Sequence, residues 1–474
     1  MIRLALPTGD LREPVGKLLA RAGLAANEYV RGSRSYVTTN GDDGIQMRVF
    51  REKDIPIQIA LGNYDLGVCR LEWVEDLTQR YPTDAIVRLR DLGVGRRSLY
   101  VAADAKRDGD IRDWTQLAGL RIVSEYANIA EALAMGLRLS SYRVFPVWGS
   151  AEAYPPEDAD LALIAADNEA DVRRLRLAPL HRLLESSVWL IANRESVAKG
   201  DLGSVVESLT ALGGPANGRP RLMMPLSPAA ASRRPMRRSV DGGGVVRMAL
   251  PDGHQQKHAV AALEAAGLRL DGYSATECVA RPRSGVAGLT AKVIRPQDMP
   301  QQVALGHFDL AVCGRDWLLD HLYRFPSSPV QEAVDLGLGR YSVAAVVADD
   351  LPVDSLDGAI ELWREGKNTV RVASEYANIA DNCAREHHLP RYKVIPIGGA
   401  SEGFVPEDAE LLIEGTETGA TLAANRLKAI DVLLESTACV IVHRGPVADK
   451  KRPLLDEVLP RLRRAGSVAQ AGEA

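Results

Sequence analysis

The chain has 474 residues, of which 46% are hydrophobic, and its formal net charge is −4. This length predicts about two to four domains with compact cores, and the charge balance argues against nucleic acid or an anionic membrane as a partner. No apolar run is long enough to cross a bilayer, and the N-terminal run is too short for a signal peptide. The five cysteines form no CxxC pair. A reduced, cytoplasmic protein is therefore expected.

Short β-branched runs alternate with helical stretches along the first 200 residues. The predicted elements, in chain order, are a strand at 2–6, a helix at 13–22, a strand at 46–50, a helix at 53–61, strands at 66–68, 99–103 and 121–124, a helix at 129–137, and strands at 161–164 and 188–192. This order is typical of α/β units around largely parallel sheets. The chain is expected to leave a first lobe near residue 103 and to return near residue 186. A ligand cleft would then lie between two lobes.

The second half of the chain repeats the first. Pro7 recurs as Pro251, 244 positions later, whereas Ser-Glu-Tyr-Ala-Asn-Ile-Ala at 124–130 recurs 250 positions later at 374–380. One insertion of six residues between 350 and 369 explains the change of offset. The predicted domains are copy 1 at 1–212, a flexible linker at 213–245, copy 2 at 246–448, and a C-terminal helix and tail at 449–474 that is disordered after about Ala465. This period indicates a domain duplication, because repeats of this length do not form solenoids.

Copy 2 contains a Thr/Gly loop between a predicted strand and a predicted helix. The loop reads Glu410-Leu-Leu-Ile-Glu414-Gly-Thr416-Glu417-Thr418-Gly419-Ala420-Thr421-Leu422. Backbone N–H groups, two hydroxyls and a glycine that admits close approach favour binding of a phosphate monoester. The glutamates would hold ribose hydroxyls or orient Mg²⁺. In the alternative interpretation, Thr418 or Thr421 only caps the helix.

The corresponding loop of copy 1 lacks these features. Asn168 stands in place of Thr418, Glu169 in place of Gly419, and Asp171 in place of Thr421, so copy 1 is not expected to bind phosphate. A second difference lies at a strand end, where copy 2 has Gly314 and copy 1 has Arg70. Gly314 would let a ligand approach closely, or it would serve only the turn. The repeated heptapeptide persists in copy 1, so it is predicted to serve folding, or nucleotide contact at most.

With these residues in view, both copies resemble the catalytic domain of ATP phosphoribosyltransferase, in its short form without a C-terminal histidine-sensing domain. The matching motifs are the strands ending at Pro7 and Pro251, Arg-x-x-Asp-x-Pro at 51–56 and 295–300, Gly-x-x-Asp-Leu at 62–66 and 306–310, Asp-Leu-Gly-x-Gly-Arg at 91–96 and 335–340, Ser-Glu-Tyr-Ala-Asn, and Thr-Gly-x-Thr-Leu at 418–422. The last motif is the specific one. Departures from the family pattern are a missing lysine after Pro7 and Pro251, and glutamates at Glu410 and Glu414 where aspartates are usual.

The resemblance implies a fold, a reaction and a site. The fold would be α/β, with two tandem bilobal domains of the type II periplasmic-binding-protein-like kind. Adenine N1 of ATP would attack the ribose of phosphoribosyl pyrophosphate in copy 2, and pyrophosphate would leave with Mg²⁺. The implied catalytic residues are Glu414 and Glu417, the implied phosphoribosyl pyrophosphate contacts are Glu410, Thr416, Thr418, Gly419, Ala420 and Thr421, and the implied ATP or pyrophosphate contacts are Arg295, Gly314, Asp316 and Tyr376. The residues that would bind the metal are not identified.

Two further expectations follow from the same resemblance. Family members dimerise, so the tandem copies would form a pseudo-dimer within one chain, or the chain would form a homo-oligomer. A separate histidine-sensing regulatory subunit is a candidate partner. The alternative function is a non-catalytic protein of the same fold that senses a nucleotide or histidine.

Overall fold

The computed structural model describes residues 1–26, 28–39, 44–107, 111, 113–139, 141–200, 202–211, 222–225, 234–235, 244–366 and 368–472. The strands of copy 1 are β1 Ile2–Pro7, β2 Val37–Thr39, β3 Ile45–Phe50, β4 Leu66–Arg70, β5 Ile86–Asp91, β6 Arg97–Asp104, β7 Leu117–Ala118, β8 Arg121–Ser124, β9 Arg143–Pro146, β10 Leu161–Ala166, β11 Leu177–Ser186 and β12 Val188–Asn193. Its helices are α1 Arg12–Arg21, α2 Ile55–Ala60, α3 Leu71–Arg80, α4 Ala127–Gly136, α5 Glu169–Arg174, α6 Arg194–Lys199 and α7 Gly203–Thr210.

Copy 2 repeats this order. Its strands, after a two-residue strand β13 Arg234–Pro235, are β14 Val246–Pro251, β15 Leu270–Tyr273, β16 Cys278–Ser284, β17 Leu289–Ile294, β18 Leu310–Gly314, β19 Val330–Asp335, β20 Tyr341–Ala348, β21 Val370–Ser374, β22 Tyr392–Pro396, β23 Leu411–Thr416, β24 Leu427–Ser436 and β25 Ala438–His443. Its helices are α8 Gln256–Ala265, α9 Met299–Ala304, α10 Arg315–Arg324, α11 Leu356–Glu365, α12 Ala377–Glu386, α13 Ala420–Ala424 and α14 Arg452–Gly472.

Each copy consists of two lobes, and each lobe is built on its own sheet. In copy 1 the strand orders are β2-β3-β1-β4-β12-β5 and β11-β6-β10-β8-β9; in copy 2 they are β17-β14-β18-β25-β19 and β22-β21-β23-β20-β24. In the first-lobe sheet the returning strand, β12 or β25, is antiparallel to both of its neighbours. In copy 1 the edge strand β2 is also antiparallel to β3. The α/β class expected from sequence is confirmed, since each copy has two lobes and each lobe is built on a mixed sheet.

The two copies share their strand register as well as their strand order. Ile2 pairs with Ile45 in β1 and β3, and Val246 pairs with Leu289 in β14 and β17, which is the same pair 244 positions later.

The point at which the chain of copy 1 passes from the first lobe to the second differs from the prediction. Because β6 already belongs to the second lobe, the chain leaves the first lobe at 92–96 and not near 103. The predicted return near 186 agrees with the β11–β12 junction.

The two copies pack around a pseudo-twofold axis, so that the first lobe of each contacts the second lobe of the other. Tyr64 donates a hydrogen bond to Asp408 at 2.8 Å, and Lys292 forms an ion pair with Asp158, the counterpart of Asp408, at 2.6 Å. Two hydrophobic clusters also contain residues of both copies; Phe50 and Phe404 meet edge to face in one of them. The structure thus has the pseudo-dimer arrangement within one chain, with the same patches used on both sides.

The repeated Arg-x-x-Asp-x-Pro motif has a structural role in this interface. Pro56 and Pro300 lie in the first turns of α2 and α9, where proline is tolerated because that turn needs no N–H donor. Asp54 accepts a hydrogen bond from the Gly398 amide, and Asp298 accepts one from the Trp148 amide, both at 3.0 Å. Each aspartate therefore links its copy to the second lobe of the other.

Two predicted segments lie between and after the copies. Of the predicted flexible linker the structure describes 222–225, 234–235 and 244–245, and the Met223 amide donates a hydrogen bond to the carbonyl of Leu183 in copy 1 at 2.7 Å, so the flexibility of the linker stays a prediction. The end of the chain is helical to Gly472, past the predicted limit of order at Ala465, which is itself buried. None of the helices within the described ranges is long and apolar enough to span a membrane.

Candidate active site

The Thr/Gly loop of copy 2 connects β23 to the short helix α13. Gly419 is the N-cap residue with φ +69°, a left-handed conformation that a glycine adopts without a Cβ penalty. The Thr416 hydroxyl accepts a hydrogen bond from the Gly419 amide at 3.1 Å, and the Thr418 hydroxyl accepts one from the Ala420 amide at 3.4 Å. Neither Thr418 nor Thr421 occupies the N-cap position, so simple capping does not explain these two threonines.

The equivalent loop of copy 1 satisfies its own polar groups. Asn168 is the N-cap of α5 and accepts a hydrogen bond from the Asp171 amide at 3.1 Å. The Asn168 amide group also donates to the Asp171 carboxylate at 2.7 Å, and that carboxylate pairs with Arg174. An anion here would meet the charges of Glu169 and Asp171. The absence of phosphate binding at this loop stays a prediction, and these internal contacts are consistent with it.

The loop of copy 2 borders a cavity of about 580 Å³ between the two lobes. The first lobe contributes residues 252–255 and 295–297, and the second contributes Glu375, Tyr376, Glu402 and the loop residues 414–422. Copy 1 adds Arg34 and Arg51 to the same lining. The cleft of copy 2 is thus completed by side chains from the other copy, as in a site at a dimer interface.

Three half-buried glutamates face this cavity. Burial raises the pKa of Glu375, Glu402 and Glu414, and for Glu414 the neighbouring Glu375 and Glu402 raise it further. Ser401 donates a hydrogen bond to the Glu414 carboxylate. Carboxylates held close together in a buried site favour a shared proton or a bound cation, and carboxylate oxygens are the ligands that Mg²⁺ prefers.

An aromatic wall closes one side of the cleft. The rings of Trp317 and Tyr376 lie 4.4 Å apart, and both line the cavity. Asp316 is fully buried behind them, where it accepts a hydrogen bond from Ser436 at 2.7 Å. Burial raises the pKa of Asp316, although hydrogen bonds from Tyr341, Ser436 and Tyr376 oppose that shift. Asp316 therefore positions the aromatic wall and does not itself line the cavity, contrary to the expectation for it.

The structure also corrects two other predicted contacts. Glu410 lies at the opposite end of β23 from the loop and forms an ion pair with Arg371 at 2.7 Å, so it is not placed to hold ribose. The space beside Gly314 is occupied by Asp316 and Gln255, with which a Cβ would collide, so this glycine accommodates protein groups and not a ligand. Arg295 does line the cavity, and it is paired with Asp252 at 2.9 Å.

The cleft of copy 1 is smaller, about 380 Å³. Arg70 projects into its lining, where it forms ion pairs with Asp10 and with Glu52, the latter at 2.6 Å. Copy 2 has His254, Pro296 and Gly314 at these three positions, so it lacks this network. The replacement of Gly314 by Arg70 thus fills part of the copy 1 cleft with an internal ion-pair cluster.

Several lining residues were missed or undervalued at the level of sequence. Tyr376 lines the cavity, and the resemblance implied an ATP or pyrophosphate contact for it, whereas its neighbour Glu375 in the repeated heptapeptide was not singled out. Ser374 and Asn378 of the same heptapeptide form structural hydrogen bonds. Arg51 lies in the repeated Arg-x-x-Asp-x-Pro motif, and the motif gave no sign that it would reach the other copy. No sequence pattern indicated Arg34.

Comparison with known proteins gives the family. The sequence model described as ATP phosphoribosyltransferase (HisG) matches residues 51–211 and 295–464. The ATP phosphoribosyltransferase of Deinococcus radiodurans is 31% identical over 228 residues, which are 48% of this chain and 92% of the relative. Those of Prosthecochloris aestuarii and Saccharolobus solfataricus are 29% and 32% identical over 41% and 39% of this chain. The chain spans 65% and 60% of the length of these two relatives.

Solved structures show weaker likeness. The ATP phosphoribosyl transferase (HisG:HisZ) complex from Thermotoga maritima contains a chain with 18% identity and a TM-score of 0.38, matched over 47% of this chain and 100% of that one. The periplasmic domain of Bordetella pertussis BvgS has 10% identity and a TM-score of 0.29, matched over 98% of this chain and 87% of that one.

Proposed function

Since the chain belongs to the ATP phosphoribosyltransferase family, we propose that it transfers the phosphoribosyl group of phosphoribosyl pyrophosphate to N1 of ATP. Pyrophosphate is released, and the reaction is the first step of histidine biosynthesis. The reaction takes place in the cleft of copy 2. One observation carries this proposal: the Thr416–Leu422 loop borders an open cavity of about 580 Å³, whereas the matching loop of copy 1 is closed by its own hydrogen bonds.

In this proposal the loop holds the 5-phosphate. Thr416, Thr418, Gly419, Ala420 and Thr421 supply hydroxyl and backbone N–H groups around the anion. Gly419 has no atom within 4 Å of the place where a Cβ would stand, so the backbone is open to a ligand there. This arrangement fixes one end of the substrate, so the ribose is oriented toward the lobes that carry the other reacting groups.

Glu414 and Glu417 hold the ribose hydroxyls, and the cationic side of the cleft holds the departing pyrophosphate. Arg295 from copy 2 and Arg51 from copy 1 both line the cavity. Two guanidinium groups aimed at a leaving polyanion stabilise the charge that develops as the bond to the anomeric carbon breaks. Tyr376 and Trp317 provide a flat apolar surface on which the adenine ring of ATP stacks.

The donor set of the cleft suits Mg²⁺. Glu375, Glu402 and Glu414 offer carboxylate oxygens with pKa values raised by burial, and a cation would relieve their crowding. Mg²⁺ commonly binds through one or two carboxylates together with substrate phosphates. A bound Mg²⁺ would neutralise charge on the pyrophosphate. The protein groups named above orient the substrates around it.

The direct test is release of pyrophosphate from ATP and phosphoribosyl pyrophosphate in the presence of Mg²⁺. Gly419→Asp should abolish measurable turnover, because it adds a negative charge and a Cβ at a φ of +69°. Gly419→Asn is the matched control, since asparagine tolerates the left-handed conformation and carries no charge; it should retain clearly more activity. Wild-type turnover no higher than that of Gly419→Asp would refute the proposal.

A non-catalytic sensor predicts a different result in the same preparation. Such a protein would bind histidine or AMP tightly in calorimetry and would fail to bind phosphoribosyl pyrophosphate. The proposal predicts that phosphoribosyl pyrophosphate binds to the wild type and that this binding is at least tenfold weaker in Gly419→Asp.

A further inference from the structure

Two histidines and a glutamate converge at the rim of the copy 2 cleft, one ligand atom from each lying within 4.8 Å of the other two. His254 lies in the single turn just before α8, and His258 lies one helical turn later on the same face. Glu417 comes from the loop of the opposite lobe, and its carboxylate is 3.3 Å from Nε2 of His254. The cluster therefore connects the two lobes.

This donor set is one that transition metals select. Two imidazoles and one carboxylate form the protein ligands of many Zn²⁺ sites and leave a fourth position for water or another oxygen. The typical separation of donor atoms around Zn²⁺ is about 3–3.5 Å, from Zn–N and Zn–O distances near 2 Å. Small side-chain rotations of His254 and Glu417, both on the surface, would bring the three atoms to that spacing.

The immediate surroundings of His258 support a ligand role. Its Nε2 is buried and has no hydrogen-bond partner among the described residues. Its ring packs against Gly339, where a Cβ would come within 2.7 Å of the imidazole, so the ring is held in place. An unpaired buried nitrogen costs free energy unless another group or an ion satisfies it.

Copy 1 provides an internal comparison. The positions of His254, His258 and Glu417 are occupied there by Asp10, Pro14 and Asp167. Copy 1 thus has neither imidazole, and Asp10 is engaged by Arg70. Among the residues that the structure describes, the three-ligand cluster is found at the cleft that carries the Thr/Gly loop and not at the cleft of copy 1.

We propose that His254, His258 and Glu417 bind one Zn²⁺-class ion that joins the two lobes of copy 2 across the mouth of its cleft. The ion is distinct in chemistry and place from the Mg²⁺ expected among the buried carboxylates, since nitrogen donors disfavour Mg²⁺. Binding fixes Glu417 and so restrains the Thr416–Leu422 loop relative to the first lobe. The site is tested without substrates, so that Glu417 is not engaged by the ribose that it holds in the proposed reaction.

The test is titration of metal-stripped full-length protein with Zn²⁺, followed by calorimetry. One ion per chain should bind, and His254→Ala and His258→Ala should each weaken binding at least tenfold. His387→Ala, on the surface of the second lobe, is the matched control and should bind as the wild type does. Equal Zn²⁺ affinity in wild type and both variants would overturn the proposal, because the binding would then come from other groups such as the exposed Cys278.

Two further measurements test the coordination geometry of the metal site and whether the ion connects the two lobes of copy 2. Co²⁺ in place of Zn²⁺ should give the absorption of a tetrahedral site with nitrogen and oxygen ligands, and His254→Ala should abolish it. Because His254 is 60% exposed, that variant is expected to fold. Zn²⁺ should also slow amide hydrogen exchange at 416–422 in the wild type and not in His254→Ala. Unchanged exchange in Zn²⁺-loaded wild type would show that the ion does not join the lobes.

Discussion

Gly419 and Glu169 occupy equivalent places in the two copies, and the local structure of the two loops differs at this position. Gly419 adopts φ +69° with open space beside it, whereas Glu169 begins a helix capped by Asn168. Gly314 and Arg70 form a second such pair: the glycine accommodates Asp316 and Gln255, and the arginine binds Asp10 and Glu52. Both substitutions leave the strands and helices intact, because they alter only the turns at the ends of strands.

Copy 1 contributes Arg51 to the lining of the copy 2 cleft. A substitution at Arg51 therefore tests whether copy 1 takes part in the copy 2 site. Arg51→Met keeps the aliphatic stem and removes a charge that, in the proposed reaction, would face the pyrophosphate. We expect kcat/KM for phosphoribosyl pyrophosphate to fall at least tenfold, as for other lost charge-assisted contacts. Steady-state kinetics would measure the change in kcat/KM, and a thermal unfolding scan would show whether the variant stays folded.

Arg173→Met is the control for this experiment. Arg173 pairs with Glu169 on the surface of the closed loop, and its side chain is 61% exposed. Exposed ion pairs contribute about 0–1 kcal/mol, so neither activity nor unfolding should change appreciably. If Arg51→Met were as active as Arg173→Met, copy 1 would not contribute to the reaction through this side chain.

The C-terminal helix α14 completes the hydrophobic core of the first lobe of copy 2. It packs on α8 and on β19, and it adds Leu455, Val458 and Leu462 to the core of the first lobe. Arg461 anchors the helix through hydrogen bonds to the carbonyls of Ala266 and Gly267, both at 2.9 Å. In copy 1 the helix α7 has the corresponding role, with Val205 and Leu209 in the core.

Leu462→Ala should destabilise the protein by about 2–5 kcal/mol, because it removes a fully buried side chain and leaves a cavity. Chemical denaturation followed by circular dichroism would measure the change. Val468→Ala on the same helix is the matched control, since Val468 is 71% exposed and should contribute within about 0.5 kcal/mol. A similar loss of stability in the two variants would show that α14 does not pack as described.

At the scale of the whole molecule, the pseudo-twofold contact joins the copies and couples their stability. Asp54 and Asp298 are the equivalent carboxyls of this interface, half-buried and buried respectively, and loss of solvation raises their pKa values to about 6 and about 8. The same contact brings Arg34 and Arg51 into the copy 2 cleft and Arg295 into the copy 1 cleft. Neither cleft is therefore complete without the other copy.

Asp298 should make stability fall as the pH rises. Its folded pKa is about 8 against an ordinary value of 3.8, so the folded chain keeps a proton that the unfolded chain releases between these limits. The contribution is fully present below about pH 4 and is lost as the pH rises through about 8. Asp298→Asn keeps an oxygen that accepts from the Trp148 amide and does not ionise, so its unfolding temperature should rise relative to wild type between pH 5 and pH 8.

Asp54→Asn is the matched comparison for this measurement. Because the folded pKa of Asp54 is about 6, its gain over wild type should be complete near pH 6–7, whereas that of Asp298→Asn should continue to pH 8. Calorimetric scans of the three proteins from pH 4 to pH 9 would show this order. Parallel curves for all three would contradict the assigned shifts.

The sequence could predict the duplication, the α/β class and the Thr/Gly loop because these depend on local patterns. Strand runs, helix starts and turn glycines are set by neighbouring residues, and two copies in one chain made the change at Gly419 visible. Glu410 could not be placed correctly from sequence. It precedes the extended strand β23, whereas Thr416 ends that strand, so the two residues lie at opposite ends. The tail was misjudged because the apolar face of α14 has meaning only against the lobe it covers.

The sequence by itself determined the family resemblance, the bilobal α/β plan and which copy keeps an open phosphate-type loop. Only the tertiary structure decided that Arg51 reaches the cleft of the other copy, that Asp316 lies behind the aromatic wall, and that His254, His258 and Glu417 meet. The physical reason is that local patterns arise from backbone geometry and neighbouring side chains. The residues that line a cleft are brought together by the packing of lobes and copies that are distant along the chain.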